Sequence, residues 1–144
     1  MLSCFDIANY FLSQIDEDAG DLMSNLKLQK LVYYAQGFHL ALYDKPLFKE
    51  DITAWQHGPV IPALYHNYKK HGSGAIPIPQ NVDFELYDEQ TKSLLDEVYN
   101  VFGQFSAWKL RNMTHEEEPW ITANSNGEII SHDSLKSYFK TRLN

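Results

Sequence analysis

The chain has 144 residues, a length that suits one domain running from 1 to 144, and its 44% apolar content is enough for a packed core and too high for a disordered chain. A net charge of −7 sets up a field that repels polyanions, which counts against nucleic acid as a partner. A lone cysteine, Cys4, excludes both an internal disulfide and a cysteine zinc cluster, and fits a reducing, cytoplasmic setting.

The N-terminus, MLSCFDIANYF, lacks a basic region and carries Asp6 early, so it does not read as a secretory signal. Phe5, Ala8, Phe11, Leu12 and Ile15 recur at helical spacing and predict a first helix, followed by the acidic turn DEDAGD (16–21). Ser24 or Asn25 caps a second helix whose stripe is Leu28, Leu31, Val32, Ala35 and Leu42. Gly37 inside it costs about 1 kcal/mol relative to Ala, so a close helix–helix approach is its expected reason. His39 on the same helix reads as a satisfied, partly buried histidine. The apolar stretch 31–43 is too short to span a bilayer.

DITAW (51–55) is rich in strand-forming residues. In HGPVIPALYHNYKKHG, Gly58-Pro59 marks a turn, Pro62 suits the first turn of a helix, and Gly72 suits its end. HGSGAIPIPQN (71–81) reads as a loop. Asp88 caps a fourth helix with Leu94, Leu95, Val98 and Phe102 on its apolar face, ended by Gly103. Ser106 caps a short fifth helix, Pro119 opens another, and Ser131 or Asp133 starts the last, with Leu135, Tyr138, Phe139 and Leu143. NGEIIS (126–131) offers an Asn-Gly turn and a short strand able to pair with DITAW. The expected fold is mostly α, a single helical domain with a small β-ribbon.

Two constellations bear on chemistry. MTHEEEPW (113–120) holds His115 beside three glutamates, but the metalloprotease pattern needs a second histidine where Pro119 stands, and that proline also breaks the helix. Thr114 and Glu117 have capping-box spacing, so a helix junction accounts for the cluster locally. The rival is a small metal-dependent or acid–base hydrolase using His115 and Glu116. In AWQHGPVIPALY, Trp55, Pro59, Pro62 and Tyr65 form a rigid aromatic–proline corner, which reads equally as a structural turn packing Trp55 into the core or as a recognition edge of the kind that supplies interface anchors. Phosphate-binding glycine loops and a G-x-S-x-G nucleophile elbow are absent from the sequence.

Four segments in this order, SNLKLQKLVYYAQGFHLAL, KPLFKEDITAWQHGPVIPALYHNYKKHG, FSAWKLRNMTHEEEPW and IISHDSLKSYF, resemble the Panacea-domain family, also called the SocA-like antitoxin or phage-associated protein family. The resemblance runs from about Phe5 to Phe139 and implies a cytoplasmic, bacterial or prophage-encoded antitoxin that neutralises a cognate toxin protein encoded beside it. The toxins of the family have unrelated folds, and one member acts as a proteolytic adaptor that hands its toxin to a AAA+ protease. It brings no catalytic residues, metal or cofactor to this chain, so none is expected. With 14% aromatic residues and no assembled catalytic set, the chain reads as a protein-binding module rather than an enzyme. An acidic antitoxin of this kind suits a basic toxin surface. The residues expected to contact the partner are Trp55, His57, Pro59, Tyr65, His115 and Trp120, polar or aromatic positions that fall in turns.

Overall fold

The structure, a computed structural model, describes residues 1–125 and 128–143. Its centre is the helix announced by the Leu28–Ala35 stripe, α2 (Asn25–Tyr43), which Ser24 caps by accepting the Lys27 N–H and which Asp44 ends with a left-handed φ of 58°. The expectation of one apolar stripe is too narrow. Gln29, Lys30, Tyr33, Tyr34 and Gln36, which lie off it, are all fully buried, while Leu42, expected on it, is 47% exposed. A helix buried all round is a central element, and other elements pack on several of its faces.

α1 (Cys4–Ser13) packs on α2 and is held by a capping box, in which the Ser3 Oγ accepts the Asp6 N–H and the Asp6 carboxylate accepts the Ser3 N–H at 2.9 Å. Cys4 is fully buried beside Glu50, and burial first, then that carboxylate, pushes its thiol up to about 12. The acidic turn is a single 3₁₀ turn, Glu17–Ala19, closed by Gly20. α4 (Glu89–Phe102), capped by Asp88, buries the expected Leu94, Leu95, Val98 and Phe102, and the Phe102 ring stacks on Tyr34 at 3.9 Å. α5 (Ala107–Thr114) begins at Ser106, α6 (Glu118–Asn124) has Pro119 in its first turn, and α7 (His132–Lys140) begins at Ser131. α7 lies across α2 at Gly37, where a Cβ would fall inside the van der Waals envelope of the Phe139 ring. The close approach expected at Gly37 is therefore made by an aromatic ring.

The ribbon differs from expectation in one strand. β1 (Thr53–Trp55) pairs antiparallel with β2 (Gly58–Val60), in the register Thr53↔Val60, Ala54↔Pro59, Trp55↔Gly58. The sequence GPV reads as a turn because glycine and proline punctuate it. It is tolerated as a strand because Ala54 directs its N–H away from β2, to the Glu128 carbonyl at 3.2 Å, so its partner Pro59 owes β1 no N–H. Residues 128–130 supply the expected pairing on the other side of β1, with the Ile130 N–H donating to the Ile52 carbonyl at 2.7 Å. The Asn126-Gly127 turn expected next to them lies outside the described residues. α3 (Pro62–Tyr68) follows β2 directly and runs into a 3₁₀ turn, Lys69–His71, that Gly72 ends with a φ of 56°.

Gly37→Ala tests the α2–α7 crossing. Helix propensity alone favours alanine by about 1 kcal/mol, but overpacking against Phe139 costs about 1–3 kcal/mol. Denaturant unfolding is expected to show net destabilisation. A gain in stability would mean that α7 does not sit this close to α2.

Candidate functional site

The hairpin formed by β1 and β2 stands on α2, and two α2 side chains hold its outer edge. The Gln29 carboxamide accepts the Ile61 N–H at 2.9 Å and donates to Asn25 at 2.8 Å, and Asn25 in turn donates to the Tyr65 carbonyl. The Lys30 ammonium donates to the Pro59 carbonyl at 3.2 Å. Both bonds use the backbone groups that β2 turns away from β1, so the edge is sealed from within the chain. Lys30 reaches that carbonyl only because residue 58 is glycine. A Cβ there would sit 2.6 Å from Lys30 Cε and 2.8 Å from Thr114 Oγ1, and the φ of +108° is itself a glycine conformation.

In front of this edge, the start of α2, the hairpin and α3 enclose a cleft of about 430 Å³ lined by Trp55, His57, Val60, Tyr65 and Lys69, among others. The Trp55 and Tyr65 rings meet edge-on at 5.1 Å. Three of the six sequence-predicted contact residues, Trp55, His57 and Tyr65, thus converge on one concavity. Pro59 lies beneath it, buried in β2. His115 and Trp120 stand behind it. Their rings stack at 4.0 Å and 9°, and the Trp120 indole N–H donates to the Trp55 carbonyl at 2.8 Å. The stack therefore braces the backbone from which the Trp55 side chain projects.

The junction 113–120 is not held as a capping box. Thr114 Oγ donates to the Arg111 carbonyl at 2.8 Å, and Glu117 makes no cap hydrogen bond. The Glu117 carboxylate instead turns into the core, where it is 3% exposed and accepts the hydroxyls of Tyr33 and Tyr34, each at 2.8 Å, and the Arg142 guanidinium at 3.3 Å. Burial raises its pKa, against the pull of the two tyrosines and the arginine. Glu116, its exposed neighbour, has no hydrogen bond to His115 among the described residues. Burial first, then the Arg111 charge, lowers the pKa of His115. Among the described residues no three of His, Cys, Asp and Glu come together as metal ligands.

Lys30 and Glu117 are the functional-site neighbours that sequence reasoning missed. Each looks like solvated charge, and only the burial of α2 on every face turns them inward. Lys30 is fully buried, and no carboxylate lies within ion-pair distance among the described residues. Burial, with a further push from Arg111, lowers its pKa from 10.5 to about 7. The unfolded chain therefore binds this proton more tightly than the folded one between about pH 7 and 10.5. In that window stability rises with pH, by up to about 1.4 kcal/mol per unit. Above pH 9 the buried Cys4 thiol opposes the trend, so the clean range is pH 7 to 9. Chemical denaturation across that range is expected to show the rise, and Lys30→Met to remove it. The same slope in Lys30→Met would assign the pH dependence to another group.

Residues 28–121 match the family described as Antitoxin SocA-like, Panacea domain. That span runs from the first apolar turn of α2 into α6 and contains the hairpin, the His115–Trp120 stack and every residue lining the cleft except Asn25 and Leu26. Antitoxin SocA of Caulobacter vibrioides (strain NA1000 / CB15N) is 31% identical over 117 residues, covering 73% of this chain and 62% of the relative, so the chain spans less than two thirds of that protein's length. No solved structure matches the chain. Among the described residues no helix is long and apolar enough to cross a membrane. The chain belongs to the SocA-like, Panacea-domain antitoxin family.

Proposed function

We propose that this chain neutralises a cognate toxin protein by binding it, with residues 1–144 acting as one antitoxin domain in the cytoplasm and the Trp55–Tyr65 cleft as the contact surface. The observation that carries this reading is the convergence of Trp55, His57 and Tyr65 on a concavity of about 430 Å³ bordered by backbone that Asn25 and Gln29 hold through hydrogen bonds. Tryptophan and tyrosine in a pre-organised recess are the residues that anchor protein interfaces, because they bury large area at low entropic cost. The likeness to Antitoxin SocA of Caulobacter vibrioides supports the antitoxin role. The His115–Trp120 stack acts through the hairpin, by fixing where Trp55 stands, and needs no chemistry of its own.

Two routes follow from binding: occlusion of the toxin's working surface, or presentation of the bound toxin to a AAA+ protease. In both, affinity resides in the cleft, and the chain carries out no reaction.

Co-expression of the neighbouring open reading frame with and without this chain tests the role. Wild type is expected to rescue growth. Trp55→Ala and Tyr65→Ala are expected to lose rescue and to weaken pull-down of the neighbour by at least about tenfold, as anchor residues do, while the far-ultraviolet circular dichroism is unchanged. Loss of the helical signal in both variants would make the two rings core residues and remove the basis of the contact surface.

A further inference from the structure

The acidic residues of this chain are strongly segregated. Three long stretches, 22–43, 52–82 and 98–115, contain no aspartate or glutamate, although the chain as a whole has 19 of them. The fold brings these stretches together: they hold all of α2, the hairpin, α3 and α5, and α5 and the hairpin both pack on α2. The cleft is lined by residues of the first two of these stretches, His57 and Lys69 among them, and by no aspartate or glutamate. Beside it, the His57 ring lies 6.1 Å from Trp108, which is 56% exposed, and the Arg111 guanidinium lies over the Trp108 indole at 4.5 Å. Lys70 and His71 follow Lys69 in the 3₁₀ turn.

These cations are not spoken for. Among the described residues the ion pairs involve Lys92, Lys136 and Arg142, and none involves Lys69, Lys70 or Arg111. Arg111 uses one terminal nitrogen to donate to Asn112 Oδ1 at 2.9 Å, while its Nε, like Nε2 of His115 one turn further on, is buried without a hydrogen-bond partner, so only the terminal nitrogens of the guanidinium are left to meet a partner. A guanidinium held over an indole and engaged in no ion pair among the described residues suits a carboxylate.

We infer that the face formed by the hairpin, α3 and α5 receives an acidic, aromatic-bearing segment of the partner protein, with the cleft taking the apolar side chain while Lys69 and Arg111 flank it and take carboxylates. This rests on the binding role proposed above and changes its expected charge. The net charge of −7 points to a basic partner surface, yet at contact the local sign decides, because charges beyond a Debye length of about 8 Å are screened. A nucleic acid fits less well. The fixed cations here are few against a duplex that carries a charge about every 1.7 Å.

The test uses the full chain and three fluorescein-labelled probes: a short peptide alternating glutamate and phenylalanine, its lysine–phenylalanine counterpart, and single-stranded oligothymidine. Anisotropy is expected to show binding of the glutamate peptide that weakens with salt and falls at least about tenfold in a Lys69→Glu/Arg111→Glu variant. The inference is overturned if the glutamate peptide does not bind, if the lysine peptide binds as well, if the oligonucleotide binds more tightly, or if a folded double variant binds unchanged. Should that variant unfold, Lys69→Gln/Arg111→Gln replaces it under the same criteria. Growth rescue separates the two levels of the argument. Failure of wild type to rescue removes the binding role itself. Rescue by wild type and equally by the folded double variant removes only the acidic contact.

Discussion

Gln29 and Lys30, adjacent on α2, hold the outer edge of the β-hairpin, and the surface of this protein depends on that grip. A two-stranded ribbon of three residues per strand has little stability of its own. Here its outer carbonyl and N–H groups are bonded to side chains of a buried helix, and its inner strand is paired on the far side by residues 128–130. The cost is an uncompensated amine in the core. It is tolerated because burial brings its pKa down to about 7, so that the charge is readily shed, and because the carbonyl it serves would otherwise be orphaned.

The same logic recurs along α2. Gln36 accepts the Leu47 N–H and donates to the Phe48 carbonyl, fixing the turn that leads to the hairpin. Tyr33 and Tyr34 hold Glu117, which fixes the start of α6 and hence Trp120. Asn25 holds the Tyr65 carbonyl. The polar residues of this helix thus act as brackets for irregular backbone, and each bracketed segment ends at or beside the cleft. Within residues 28–121, the span that matches the family, Lys30, Gly58, Thr114, Glu117 and Trp120 stand behind the cleft, while Trp55, His57 and Tyr65 line it.

That division explains why a motif rich in ionisable groups need not be a reaction centre. In MTHEEEPW, Thr114 turns back on its own helix, His115 stacks on Trp120, Glu117 enters the core, and Glu116 and Glu118 remain in solvent. Each neighbour in sequence goes to a different neighbour in space. The exposed Trp108 and His57 come from stretches of the chain that contain no aspartate or glutamate.

Helix positions were readable from the chain because capping and periodicity are local. Ser24, Asp88, Ser106 and Ser131 each accept a backbone N–H three residues on, as their place before an apolar run predicts. Gly37 announced a close approach, and the aromatic–proline corner announced Trp55 and Tyr65. The strand at 58–60 was hidden, because proline and glycine are punctuation unless the partner strand's N–H points elsewhere, and that depends on a third segment some 70 residues later in the chain. The destinations of Lys30 and Glu117 were hidden for a related reason. A charged residue on a helix is solvated by default, and only the packing of α1, α4, α5, α7 and the hairpin around α2 leaves these two no route to water. Local chemistry set where the helices begin and end. Long-range burial chose which polar groups became internal struts, because the cost of leaving a buried backbone group unpaired exceeds the cost of bringing a side chain in to meet it.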